Sequence, residues 1–180
     1  GFDVYGTYNQ SLPNLAIPDT NLLKFNISDF NSLEFKNWLN DINEWDIFIS
    51  CVGTQFPIGR LDQIKPSDWV DGVSINSSYQ IGALLYALKY RNKKTIPNVI
   101  FFAGGGTNSA TSAYSAYTVG KISLIKTIEL LSHEINDTKF FIIGPLPFIN
   151  FSCPLSLIGL MFSGIKDTFS LTFEFLAQFQ

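Results

Sequence analysis

The stretch Ser112–Leu131, SAYSAYTVGKISLIKTIELL, decides how this chain folds and where its chemistry lies. Its apolar residues recur at helical spacing and predict a helix from about Ala113 to Asn136. Tyr117 and Lys121 are four residues apart near the start of that helix, so they project from one face. On its own, this spacing is also compatible with an ordinary aromatic residue and a lysine whose head reaches solvent.

The spacing of this pair has a chemical logic. A lysine ammonium about 5 Å from a phenol, at an effective dielectric constant of about 20, favours the phenolate by about 3 kcal/mol, or roughly two pKa units. Lys121 is therefore expected to lower the pKa of Tyr117 towards neutral pH, where proton transfer is most effective. The pair predicts a proton donor and acceptor.

Bulk composition limits the classes of protein to consider. The chain has 180 residues, 46% hydrophobic and 15% charged, which is enough for one domain with a sizeable core. Its net charge of −3 argues against a nucleic-acid binder. The two cysteines, Cys51 and Cys153, lie in no metal-binding spacing, so no metal site is predicted. No secretory leader pattern opens the sequence, and a cytoplasmic location is expected.

Strand and helix patterns alternate along the chain. The predicted strands are Phe2–Tyr8, Asn21–Ile27, Trp45–Gly53, Pro97–Gly105 and Thr138–Pro145. Three helices are predicted. The first starts with Ser28 or Asp29 as its N-cap, the second spans Ser67–Tyr90, and the third runs from about Ala113 to Asn136. This order is typical of an α/β fold, a doubly wound parallel sheet with helices on both faces. In such sheets the working site lies at the carboxyl ends of the strands.

Four features of the chain together resemble the short-chain dehydrogenase/reductase family. They are the Tyr117–Lys121 pair, Asn76 about forty residues upstream on the preceding helix, the glycine-ending turn Ser50–Gly53, and the Gly144-Pro145 turn. The resemblance covers residues 1 to about 145 and implies a Rossmann-like fold. It implies a hydride transfer between NAD(P) and a carbonyl or alcohol substrate.

The resemblance also implies roles for individual residues. Tyr117 would be the acid/base, Lys121 would bind the nicotinamide ribose, and Asn76 would hold a water linking Lys121 to solvent. The cofactor-binding residues would be Asn26, Ile27, Val52, Gly53, Tyr117, Lys121, Gly144 and Pro145. Because Thr7–Ser11, at the end of the first predicted strand, contains no acid for the ribose of NAD, NADP is favoured over NAD.

The sequence departs from the family pattern in two places. It has no T-G-x-x-x-G-x-G turn to approach a pyrophosphate, so we expect the first strand–helix unit to be missing. Residues 1–145 would then be an incomplete NAD(P)-binding domain and residues 146–180 an atypical hydrophobic segment of it. The family's serine about thirteen residues before the tyrosine is also absent, because Ala103–Gly106 carries no hydroxyl. Thr107 is the predicted replacement, with Ser109 nearby, and the glycine backbone amides are the alternative.

Several alternatives stay open at this stage. The chain could be a non-catalytic remnant of such a protein, or a sugar-nucleotide epimerase or dehydratase of the same fold. A glycine-rich AGGGT after a strand resembles family members whose substrate is sugar-linked. The resemblance implies a homodimer or tetramer formed by the Asn76 and Tyr117 helices. Prolines interrupt the uncharged run of residues 140–165, so no membrane span is expected.

Overall fold

Six strands form a single sheet whose order is β2-β1-β6-β3-β4-β5. The structure, a computed structural model, describes residues 3–11, 18–105, 107 and 110–144, and the backbone of residues 159–163. The strands are β1 Asp3–Tyr8, β2 Leu22–Lys24, β3 Ile47–Ser50, β4 Asn98–Phe102, β5 Lys139–Ile143 and β6 Gly159–Ser163.

The predicted parallel sheet is confirmed for β1 to β5. β1 pairs in parallel with β2, and β4 pairs in parallel with β3 and β5. Strand β6 is an addition that the sequence analysis did not contain: it lies between β1 and β3 and runs antiparallel to both. Strands β1 to β5 nevertheless all point the same way, so their carboxyl ends share one edge of the sheet. The rest of the predicted segment 146–180 lies outside the described residues.

The helices are α1 Leu33–Ile42, α2 Pro66–Asn76, α3 Ser78–Ala87 and α4 Ser115–Glu134. The predicted start of α1 at Ser28 or Asp29 is wrong. Asn26 accepts a hydrogen bond from the Ser28 amide and begins a short 3-10 turn, and Ser32 then caps α1 by accepting from Phe35 N at 3.2 Å. Each capping side chain satisfies an amide that the first turn of its helix leaves without a partner.

The predicted helix Ser67–Tyr90 is also corrected, because it is broken at Ser77. The backbone of Ser77 has φ −144° and ψ −85°, which ends α2 and lets α3 begin at the next residue. The apolar periodicity continues across the break, so it gives no sign of the change in direction. Among the ranges that the structure describes, no helix is both long and apolar enough to cross a bilayer.

The core lies between the sheet and its helices and is largely aliphatic and aromatic. Trp45, Leu84, Phe101 and Leu124 are fully buried. The Trp45 indole also donates a hydrogen bond to the Ala87 carbonyl oxygen at 2.7 Å, which satisfies the one polar group that this large side chain carries into the interior. The core thereby fixes α3 and α4 on the sheet.

Leu84 and Leu85 offer a matched test of this packing, because they are neighbours on α3 with 0% and 52% exposure. Leu84→Ala is expected to lower the free energy of unfolding by about 3 kcal/mol, since it removes buried methyl groups and leaves a cavity. Leu85→Ala should change it by less than about 0.5 kcal/mol. Urea unfolding of both variants measures the difference, and equal losses would contradict the described orientation of α3.

Candidate active site

Lys121 lies at the centre of the candidate site. Its ammonium donates hydrogen bonds to the carbonyl oxygens of Val52 at 3.1 Å and Phe102 at 2.9 Å. Phe102 is the last residue of β4, and Val52 follows β3 by two residues. The side chain therefore ties α4 to the carboxyl ends of two adjacent strands, which is the edge where the sequence analysis placed the site.

Burial makes the charge on Lys121 costly. The residue is only 4% exposed, and desolvation lowers its pKa from 10.5 to about 8, an effect that an electrostatic interaction with Cys51 partly offsets. The two carbonyl oxygens solvate the ammonium only in part. Lys121 is thus held mainly as a cation at neutral pH, in a place where it titrates far more easily than an exposed lysine.

The Tyr117 side chain projects from the same side of α4 towards the loop after β4. Its hydroxyl oxygen lies so close to Gly104 that a Cβ built on that glycine would be 1.9 Å away. Tyr117 and Lys121 therefore point to one edge of the sheet, as their spacing predicted.

The expected direction of the Tyr117 pKa is wrong. Burial raises the pKa of the phenol above its ordinary value of 10.0, whereas the sequence analysis expected Lys121 to lower it. The ammonium is directed at the Val52 and Phe102 carbonyl oxygens, and desolvation of the phenol, which the simple Coulomb argument left out, is the dominant effect.

Asn76 is fully buried and its amide is held by backbone groups. Its Oδ1 accepts from Thr54 N at 3.1 Å, and its Nδ2 donates to the carbonyl oxygens of Thr54 and Gly72, both at 2.8 Å. The side chain thus bonds α2 to the segment after β3, beside the site. Both hydrogens of the Asn76 amide are used in these bonds. A water molecule of the kind that the family resemblance implies would therefore have to donate its hydrogen bond to Asn76 Oδ1.

The break at Ser77 frees carbonyl groups of α2, and side chains take them up. Ser77 Oγ donates to Val73 O at 2.8 Å, and Gln80 Nε2 donates to Ile75 O at 2.9 Å. Gln80 also accepts from the Ser50 hydroxyl at the end of β3, at 2.7 Å. Sequence analysis missed Gln80, although a glutamine within an apolar helical run is the kind of signal that marks a buried polar contact.

Two glycines allow the close approach of α2 and α4. A Cβ on Gly120 would lie 2.6 Å from the Cβ of Asn76, and a Cβ on Gly72 would lie 3.1 Å from that of Ala116. These distances leave no room for a larger residue at position 120 unless the helices move apart. The tight helix crossing thus gives a physical reason for glycine at position 120.

The remaining predicted residues fall into three groups. Thr107 Oγ1 donates to Gly104 O at 3.3 Å, which places its hydroxyl in the loop that carries Gly104. Gly53 lies close to Asn76 on α2 and to Lys121 on α4. A Cβ built on Gly53 would be 3.4 Å from Asn76 Oδ1 and 3.6 Å from Lys121 Nζ. Asn26, Ile27 and Gly144 follow β2 and β5 at the same edge, and Pro145 lies outside the described residues.

The functional groups at this edge of the sheet are those of a site for a polar organic ligand. In the part of the chain that the structure describes, no group of three or more His, Cys, Asp or Glu residues is placed to hold a metal ion. The groups that converge are a phenol, an ammonium and an amide, together with bare glycine backbone at Gly53 and Gly104. These can hold a polar ligand and move a proton.

The depressed pKa of Lys121 gives a pH-dependent stability with a defined sign. Between about pH 8 and 10.5 the unfolded chain binds the Lys121 proton more tightly than the folded chain, so the free energy of unfolding rises with pH over that window. Relative to Lys121→Met, wild type should gain about 3 kcal/mol across it. Urea unfolding at several pH values measures the gain.

Lys126→Met is the matched control for that experiment, because it removes an exposed lysine from the same helix. This variant measures how the free energy of unfolding changes when an exposed lysine charge is removed. Parallel curves for wild type and Lys121→Met between pH 8 and 10.5 would contradict the buried position of the Lys121 ammonium.

Comparison with known proteins gives structural matches only. No protein-family model and no curated protein sequence matches the chain. A short-chain dehydrogenase/reductase from Saccharomyces cerevisiae superposes with a TM-score of 0.68 at 20% identity, covering 79% of this chain and 60% of its own. A short-chain dehydrogenase from Streptomyces avermitilis gives 0.62 at 17% identity, with coverages of 72% and 48%.

A third match is an NADH-dependent reductase, A1-R', in complex with NAD. It gives a TM-score of 0.61 at 14% identity, with coverages of 69% of this chain and 56% of the reductase. The chain thus spans about half to three-fifths of the length of these proteins. The described part of the chain has the fold of the short-chain dehydrogenases/reductases and corresponds to a portion of it.

Proposed function

We propose that the chain carries the acid/base half of an oxidoreductase site that acts on a carbonyl or alcohol substrate with a nicotinamide cofactor. The observation that carries the proposal is the convergence of Tyr117 and Lys121, from one turn of α4, at the carboxyl ends of β3 and β4. Asn76 braces the same edge from α2. The likeness to oxidoreductase folds supports this class of reaction.

Tyr117 is the proton donor in this proposal. A raised pKa keeps the phenol protonated at neutral pH, so it can give its proton to a carbonyl oxygen that becomes an alcohol. In the reverse direction the phenolate would have to form first, and burial makes that costly. At neutral pH the phenol is therefore in the protonation state that carbonyl reduction needs.

Lys121 and the two glycines fit a nicotinamide cofactor. Bare backbone at Gly53 lies next to the Lys121 ammonium, which can donate its remaining hydrogen to a ribose hydroxyl. The cofactor, when bound, supplies or accepts the hydride. We propose NADP in preference to NAD, because residues 9–11 after β1 are Asn, Gln and Ser and offer no carboxylate to a ribose 2′-hydroxyl.

A non-catalytic role is the second candidate, and Gly104 favours it. Position 104 is where the family pattern places a serine hydroxyl, and Thr107 Oγ1 is bonded to the Gly104 carbonyl oxygen instead of facing a substrate. A sugar-linked substrate, and the epimerase or dehydratase alternative, rest on the resemblance alone.

We also propose a second copy of this chain as partner. Along α4, Val119, Ile122 and Leu130 are 43%, 47% and 50% exposed and lie on one side of the helix, with the exposed Lys126 among them. We call these three apolar residues the apolar stripe. An apolar stripe on a helix that packs against α2 matches the dimer surface that the family resemblance implies. Burying it against its own copy would remove it from water.

The phenol can be tested directly. Tyr117→Phe removes the transferable proton while it keeps the ring, so turnover should fall at least 100-fold with the fold intact. Reduction of a panel of carbonyl compounds, followed through the absorbance of NADPH and NADH, measures turnover. Tyr114→Phe is the matched control, because Tyr114 lies at the start of α4 outside the converging pair.

Undiminished turnover in purified Tyr117→Phe would reject the proposal. Fluorescence titration with NADPH and NADH separates the second candidate: a chain that binds neither nucleotide and reduces nothing is non-catalytic. Binding without turnover would support a nucleotide-binding role only.

The dimer has its own test. Ile122→Glu puts a charge into the apolar stripe and should convert a dimer to a monomer in sedimentation velocity experiments. Leu33→Glu is the control, since Leu33 is 72% exposed on α1, away from α4. A wild-type chain that sediments as a monomer at all concentrations would refute the proposed partner.

A further inference from the structure

The contact between Gly104 and Tyr117 is the closest that any glycine of the described residues makes with a candidate catalytic group. A Cβ on Gly104 would lie 1.9 Å from the Tyr117 hydroxyl oxygen, 2.4 Å from Cζ and 2.7 Å from Cε1. Ordinary contacts between such atoms are about 3.5 Å. The phenol thus lies in the space that any side chain at position 104 would need.

The backbone on either side of this contact is fixed. Ala103 N donates to Ile143 O at 2.9 Å, and the preceding Phe102 carbonyl oxygen accepts from Lys121. On the other side, α4 is held by fully buried Ala116 and by Gly120 against α2. The atoms that a methyl group on Gly104 would meet belong to the far end of the Tyr117 side chain, so the ring is the part of this contact that can move.

We infer that Gly104 is a positioning residue for Tyr117: its bare Cα sets the depth of the phenol in the site, and any side chain there turns the ring away. The inference rests on the proposed function for its catalytic consequence, but the geometry stands without it. The next residue supplies a contrast, because a Cβ on Gly105 would meet nothing within 4 Å.

The inference adds a constraint on the site. The phenol fills the space beside Gly104, so a side-chain hydroxyl cannot stand at that position together with Tyr117 in this conformation. The substrate oxygen would then take its hydrogen bond from Tyr117 and from groups farther along the loop, of which Thr107 is the nearest described hydroxyl. A serine at position 104 would add a hydrogen-bond donor, but its Cβ would also displace the phenol from this position.

Ring NMR of tyrosine-labelled protein tests the inference without using turnover. The Tyr117 signal is assigned as the one lost in Tyr117→Phe. Gly104→Ala and Gly104→Ser should both shift this signal and increase its broadening by a water-soluble paramagnetic agent, since the ring moves into solvent. Gly105→Ala should leave the signal in place. An unmoved signal in Gly104→Ala, or an equal shift in Gly105→Ala, would overturn the inference.

A stability cycle keeps the test decisive if Gly104→Ala folds poorly. In a Tyr117→Ala background the space is free, so adding Gly104→Ala should no longer lower the free energy of unfolding. If Gly104→Ala lowers the free energy of unfolding equally with and without Tyr117, the proposed coupling between the two residues is refuted. In a chain with measurable turnover, Gly104→Ala should lower kcat about 100-fold and leave KM nearly unchanged. Loss of turnover in Tyr117→Phe tests the proposed function separately.

Discussion

The buried ammonium of Lys121 is the interaction on which the rest of the site depends. It joins one helix to the ends of two strands through the carbonyl oxygens of Val52 and Phe102. Both carbonyls lie at or beyond the ends of their strands, and the Val52 carbonyl oxygen also accepts a hydrogen bond from Gln80 Nε2 at 3.3 Å. The bond that satisfies them also fixes the rotation of α4, and this rotation directs Tyr117, one turn earlier, at the same edge of the sheet.

Close packing of α4 against α2 is the second contact that holds the site together. Gly120 brings α4 against Asn76, and Asn76 in turn bonds the backbone of Thr54. The break at Ser77 lets α2 end at that point, while Ser77 and Gln80 take up the carbonyl groups that the break releases. Hydrogen bonds and close packing thus connect the strand ends, the helix break and the helix crossing.

The sequence was sufficient for the parts that follow from periodicity and spacing. The limits of α4, the parallel arrangement of β1 to β5 and the shared direction of Tyr117 and Lys121 were all predictable, because each depends on local pattern. The break at Ser77 was not, since apolar residues continue through it. The pKa of Tyr117 moved in the opposite direction because burial, which needs the tertiary structure, outweighs the charge of Lys121. The contact with Gly104 arises between separate segments and has no local signal.

Strand β6 carries a consequence for the order of folding. It is the last of the described strands along the chain, yet it lies in the middle of the sheet and joins β2-β1 to β3-β4-β5. During synthesis, the edges of β1 and β3 emerge well before residues 159–163 leave the ribosome. Pairing over such long sequence separations is slow, and open strand edges attract other chains. Until residues 159–163 pair, no described strand joins β2-β1 to β3-β4-β5, and the facing edges of β1 and β3 are open to other strands.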